Sequence, residues 1–156
     1  MTLTRAADLV SKLALQPHPE GGWYREIYRS PTRVETARGS RSALTTIYYL
    51  LEQNQLSRWH VVQADEIWHF YAGAPLELVA YTPDTRTIDR HRLDNPTSVS
   101  VIPTGVWQAA RSLGEYSLVG CTVGPGFEFA DFQFVSALPS HADHFRGDLA
   151  PFANLL

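Results

Sequence analysis

The sequence predicts an all-β protein, a sandwich or a closed barrel, preceded by one helix. Between residues 43 and 134, short apolar runs alternate with turn-forming residues at roughly ten-residue spacing, as antiparallel strands joined by tight turns do. Aromatic residues reach 12%, a richness that suits strands and apolar pockets. A helical period shows clearly only near the N-terminus. The 156 residues suffice for one domain with a real core. We place its centre at about residues 18–135, after a helix over 2–15 and before a tail over 137–156.

In the helix Leu3, Ala7, Val10 and Ala14 recur at helical spacing, Leu13 widens the stripe, and Thr2 or Thr4 can cap it. Pro17 and Pro19 stop it, and Gly21-Gly22 allows a sharp turn into a strand from Trp23. Residues 31–42 are polar, carry several charges and read as a mobile loop. Residues 45–51 (TTIYYLL) are apolar enough for a central strand. Residues 57–62 and 66–71 follow, then 76–82, a Pro83-Asp84 turn, and 87–93, which alternates as an exposed outer strand does. Strands are expected again at 98–102, 106–110, 116–123 and 127–134, with a short helix within 141–149.

Composition removes several function classes. A net charge of -3 gives no general field for nucleic acid or an anionic membrane. A single cysteine, Cys121, cannot form an intrachain disulfide, which favours a reducing compartment. No apolar run approaches the ~20 residues of a membrane span, and the first residues lack a secretory pattern. A cytoplasmic protein with no membrane or nucleic-acid partner is the expectation. No Walker loop, Rossmann fingerprint, Ser-His-Asp order or CxxC pair is present.

The most chemically loaded stretch is SRWHVVQADEIWHFYAG, residues 57–73. On a strand, residues i, i+2 and i+4 share a face. Glu66, Trp68 and Phe70 therefore point one way, and Ile67, His69 and Tyr71 the other. A hairpin would bring His60 on the preceding strand against Glu66. Imidazole beside carboxylate can act as a base with its orienting partner, hold a metal, or simply form a buried hydrogen-bonded pair. Gln108 follows the Pro103-Thr104-Gly105 turn that aims it into the same barrel. Trp68, Phe70, Trp107, Tyr48 and Tyr49 are the candidate aromatic walls of a ligand pocket. Arg25, Arg29 and Arg41 are candidates to meet an anionic ligand. His18 and Glu20, at the glycine turn, read as structural or as a pocket rim, and Cys121 as a buried inert thiol.

His60-x5-Glu66-x6-Gly73 resembles the first motif of the cupin superfamily, with Val62 where a second histidine would stand. Pro103-Thr104-Gly105-x2-Gln108 resembles the second motif, with Gln108 in the histidine position. HPEGGWYREIYRS (18–30), TTIYYLL (45–51), DEIWHFYAG (65–73), PTGVWQAA (103–110) and GCTVGPGFEFADF (120–132) narrow the resemblance to a small single-domain cupin group of unknown function. The resemblance implies a double-stranded β-helix, or jelly-roll barrel, and a homodimer. With the N-terminal helix this gives an all-β cupin barrel as the expected fold.

Functionally, the residues favour a small-molecule ligand in the barrel. One reading is an epimerase, isomerase or lyase with His60 as general base, positioned together with substrate by Glu66 and Gln108. The other is a non-catalytic binding protein with an aromatic-lined pocket, and a vestigial pocket in a structural dimer is the third. The one cofactor that the resemblance offers is a divalent transition metal on His60, Glu66 and Gln108. A glutamine in place of a histidine argues against tight binding. The homodimer contact is expected to involve residues 23–28.

Overall fold

In a computed structural model, which describes residues 5–135 and 143–155, strands dominate. Helix α1 (Arg5–Lys12) leads into β1 (Gln16–Pro17) and β2 (Trp23–Arg29). The hairpin β3 (Arg33–Thr36) and β4 (Gly39–Ser42) precedes β5 (Thr45–Glu52), β6 (Leu56–Val62) and β7 (Asp65–Gly73). Then come β8 (Leu76–Thr82), β9 (Thr87–Leu93), β10 (Val99–Ile102), β11 (Trp107–Ser112), β12 (Tyr116–Gly124) and β13 (Phe132–Phe134). Helix α2 (Asp143–Asp148) and a 3-10 segment (Ala150–Leu155) follow. A six-stranded sheet, β1-β2-β5-β12-β7-β10, faces a five-stranded sheet, β13-β6-β11-β8-β9, and the strands pair antiparallel. None of the described helices is long and apolar enough to cross a membrane.

Period two decides what each strand buries. On β7, Glu66, Trp68 and Phe70 are buried while Ile67, His69 and Tyr71 are not. The barrel interior is filled by Tyr49, Leu51, Trp68, Phe70, Leu76, Leu78, Ile102 and Val119. Strand β8 is buried on both faces from Leu76 to Tyr81. Its outward residues, Val79 and Tyr81, join Trp59, Trp107 and Ala109 in a second core closed by Leu149, Phe152 and Leu155. Helix α1 lies over the other sheet, packing Ala6, Leu9, Val10 and Leu13 on Leu50, Leu118, Trp23 and Tyr48.

Four expectations change. Strands β6 and β7 do not form a hairpin, because the chain turns a corner at Gln63-Ala64 and carries β7 into the opposite sheet. The corner is held by the Gln63 amide on the Asp131 carbonyl, the Gly105 amide on the Val62 carbonyl, and the Thr104 amide on Asp65 Oδ1 at 2.9 Å. These are contacts with sequence-distant turns that no local pattern announces. Residues 31–42 form a paired hairpin instead of a mobile loop. Side chains hold it, through Arg33 on Ser40 and Ser42 and Thr36 on the Gly39 carbonyl, so it lacks the apolar alternation that marks a strand. Of residues 127–134, only the last part is strand, and Phe129–Asp131 makes a 3-10 turn. The inward face of the helix is rotated, with Ala6 and Leu9 joining the expected Val10 and Leu13, and Ala14 adopts a left-handed φ of 51° just past its end. Thr2, Leu3 and Thr4 lie outside the described residues, as do residues 136–142 at the start of the expected C-terminal helix.

Candidate active site

A cavity of about 280 Å³ opens at one end of the barrel, between the two sheets. Its chemistry comes from His18, Glu20, His60 and Glu66, and its apolar wall from Tyr24, Ile47, Val62, Phe127, Phe129 and Phe132.

His60 sits on the inward face of β6, opposite Gln108 on β11 and Phe134 on β13. Its ring stacks on Phe132, with centroids 4.9 Å apart. Nδ1 lies 2.7 Å from the Arg58 carbonyl. A carbonyl only accepts, so Nδ1 carries the proton and Nε2 is left as the working nitrogen. Nε2 is 3.2 Å from Glu20 Oε2. Burial, the largest influence, lowers the His60 pKa, while the nearby Glu66 and the Arg58 carbonyl oppose it. Burial likewise raises Glu20, against the pull of His18. Each partner disfavours its charged form, so the pair holds one proton between Nε2 and Oε2.

The HPEGG turn places Glu20. The Gly21 amide donates to the His18 carbonyl, the His18 amide to the Gly22 carbonyl, and Tyr49 Oη to the Gly21 carbonyl at 2.6 Å. Gly21 and Gly22 hold φ of 109° and 77°. A Cβ on Gly21 would lie 2.0 Å from the Leu56 carbonyl oxygen, so the turn rests directly on β6. His18 Nδ1 accepts the Glu20 amide at 3.1 Å, which puts the neutral ring's proton on Nε2. Burial lowers the His18 pKa, which keeps that ring neutral.

Glu66 enters from the opposite sheet as an inward residue of β7. Gln108 Nε2 donates to Glu66 Oε2 at 2.6 Å, and Trp68 Nε1 donates to Gln108 Oε1 at 2.9 Å. Indole is only a donor, so Trp68 fixes which way the amide points. Burial pushes the Glu66 pKa up to about 7, against the opposing influence of His60 and Gln108. The Cys121 thiol beside Glu66 is itself pushed well up by burial and stays protonated.

His60 and Glu66 thus meet at one cavity, although across the barrel rather than across a hairpin. Gln108 stands behind Glu66, buried and outside the lining. Trp68, Phe70 and Tyr49 fill the barrel interior away from the cavity lining. Trp107 and Tyr48 point the other way, Trp107 into the core under the C-terminal segment and Tyr48 toward α1. Arg25 donates to the Leu13 carbonyl at 3.3 Å, and Arg41 is bidentate on Asp131, so neither offers itself to a ligand in the cavity.

The aromatic wall instead comes from Tyr24 and from residues 127–132. It was hidden because those phenylalanines read as strand and lie on an irregular turn. The two prolines and two glycines around His18 and Glu20 were the legible sign of a fixed conformation. A metal on His60, Glu66 and Gln108 does not fit, because Gln108 turns its NH2 to Glu66 and gives its oxygen to Trp68. Among the described residues no three His, Cys, Asp or Glu side chains are grouped as metal ligands.

A hypothetical protein from Leishmania major is similar over almost its whole length, with 29% identity, a TM-score of 0.84, and coverage of 97% of this chain and 98% of that one. A protein from Shewanella oneidensis is 33% identical, with a TM-score of 0.75 over 85% of each chain. Oxalate decarboxylase from Bacillus subtilis shares the fold alone, at 14% identity and a TM-score of 0.62, over 90% of this chain and 36% of that one. Among curated proteins none matches the sequence. The model of the cupin superfamily group DUF985, Cupin_5, matches residues 7–135. With strands in two facing sheets, His60 and Glu66 on opposite walls, and that match across most of its length, the chain belongs to the cupin superfamily, in its DUF985 group.

Proposed function

We propose that the protein is an isomerase or epimerase that moves a proton on a small carbonyl or hydroxyl compound, with His60 and Glu66 as the proton carriers. The observation that carries this reading is their placement. They approach one cavity from opposite sheets, and neither favours its charged form. General acid-base groups work best with pKa values near the working pH, and Glu66 at about 7 has one. Glu66, part-ionised near pH 7, takes a proton from carbon. The Glu20–His60 pair, with His60 oriented by the Arg58 carbonyl, gives its shared proton on the other side, and His18 Nε2–H is a neutral donor for the substrate oxygen. A merely structural barrel would fill these positions with aliphatic residues, since buried ionisable groups cost several kcal/mol unless they pair.

The test is deuterium wash-in, followed by NMR, on a panel of small hydroxyketones and aldoses in D2O. Exchange at the carbon beside the carbonyl is expected, and His60→Asn or Glu66→Gln should slow it by about 100-fold or more. Saturable binding with no exchange across the panel would make this a binding protein and reject the catalytic reading.

The expected homodimer belongs to the same proposal. Ile27, Tyr28, Tyr71, Val99 and Val101 are exposed on strands of the six-stranded sheet, more apolar surface than a lone sheet face usually leaves in water. Sedimentation should give twice the 17.5 kDa chain mass, and a 17.5 kDa species at micromolar concentration would reject it.

A further inference from the structure

The walls of the cavity are chemically one-sided. Glu20 and Glu66 lie deep, and Glu26 and Glu128 stand at the mouth. Arg29 is the one arginine or lysine among the lining residues, and its guanidinium is already engaged. Nη2 donates to Glu26 Oε1 at 2.7 Å and to the Phe127 carbonyl at 3.0 Å, while Nη1 meets Glu128 Oε1 at 3.1 Å. The mouth therefore carries two carboxylates against one cation. Nearby arginines are engaged elsewhere: Arg38 and Arg41 pair with Asp131, and Arg58 lies over the Phe134 ring with a bond to the Pro19 carbonyl. An anionic ligand would meet carboxylates with no free counter-charge.

Two further features say what would be welcome. Phe127, Phe129 and Phe132 meet one another at 84°, 76° and 67°, with centroids 5.0 to 6.4 Å apart, so their faces and edges point in different directions around a corner. Aromatic faces beside carboxylates attract ammonium groups. The His18 side chain is only 6% exposed, and its Nε2–H has no hydrogen-bond partner among the described residues. His18 lines the cavity, so that N–H is placed to donate to an acceptor oxygen of a ligand.

We propose that the cavity takes a small organic amine, bound as its ammonium ion and carrying a hydroxyl or carbonyl oxygen, and rejects carboxylates and phosphates. The ammonium group lies among the phenylalanines beside the mouth carboxylates Glu26 and Glu128, and the oxygen accepts from His18. This rests on the proposed function only in naming the same cavity. The volume, at the low end of ligand pockets, limits the ligand to about monosaccharide size or less.

The probes are three compounds of matched shape: 1-amino-2-propanol, 1,2-propanediol and lactate, titrated into the protein and followed by NMR at pH 7.5. The amine should bind at least tenfold more tightly than the diol, with lactate weakest. The double variant Glu26→Gln/Glu128→Gln changes exposed side chains and frees Arg29, and it should shift preference toward lactate by tenfold or more. A purely structural role for the mouth carboxylates would leave selectivity unmoved. Equal affinities, lactate preferred by the parent, no binding of any probe, or unchanged selectivity in the double variant would each overturn the proposal. Amine binding without deuterium exchange in the earlier panel would sink the catalytic reading and leave this one standing.

Discussion

Gly21→Ala is expected to destabilise the fold by about 3 kcal/mol or more and lower the melting temperature by about 10 °C. Two effects add. At φ 109° a side chain strains the backbone, at about 1–3 kcal/mol. The new Cβ would also lie 2.0 Å from the Leu56 carbonyl oxygen. That neighbour is backbone at the start of β6, so no rotamer change relieves the collision and the turn must move. The same turn carries His18 and Glu20, and the displacement should break the 3.2 Å approach of Glu20 to His60 as well. Gly105→Ala is the control. Its φ of 78° is strained, but the Cβ position is open, so it should lose only about 1 kcal/mol. Equal melting temperatures for the two variants would show that the turn yields easily and does not position the site.

Glu66→Gln should be more stable than the parent at pH 8 by about 3 kcal/mol, and nearly equal to it at pH 4.5. In an unfolded chain Glu66 titrates near 4.3, whereas burial pushes it up to about 7 in the fold. The folded state therefore holds the proton more tightly. The advantage of the protonated group is fully present below the unfolded value and is lost as pH rises through 7, so Glu66 makes the parent less stable across that window. Glu20, also raised, acts in the same direction. His18 and His60 are lowered, so their contribution runs the other way and is lost as pH falls below about 6.5. Comparing parent with variant cancels much of these shared contributions. Urea melts from pH 4.5 to 8 measure the difference, and parallel curves would show that Glu66 ionises in the fold as it does in the unfolded chain. A carboxylate kept at that expense of stability at neutral pH fits a functional group better than a structural one.

Residues 57–73 show where local pattern reasoning succeeds. Alternation alone assigned Glu66, Trp68 and Phe70 to the inward face and His69 to the outer one, because a strand has only two faces and one of them is buried here. Short strands and turns likewise made the barrel legible, and the His60 and Glu66 spacing identified the family. Tertiary structure decided which inward side chains line space and which fill it. Tyr49, Trp68 and Phe70 have the composition of a pocket wall yet pack the barrel solid, while Trp107 and Tyr48 face other layers altogether. It also decided that His60 meets Glu20, 40 positions earlier in the chain. That contact depends on a glycine turn lodged against β6, and a strand pattern carries no information about which distant turn will lean on it. Sequence periodicity specifies the direction a side chain leaves its strand, whereas the partner it finds is set by how the sheets and turns close around it.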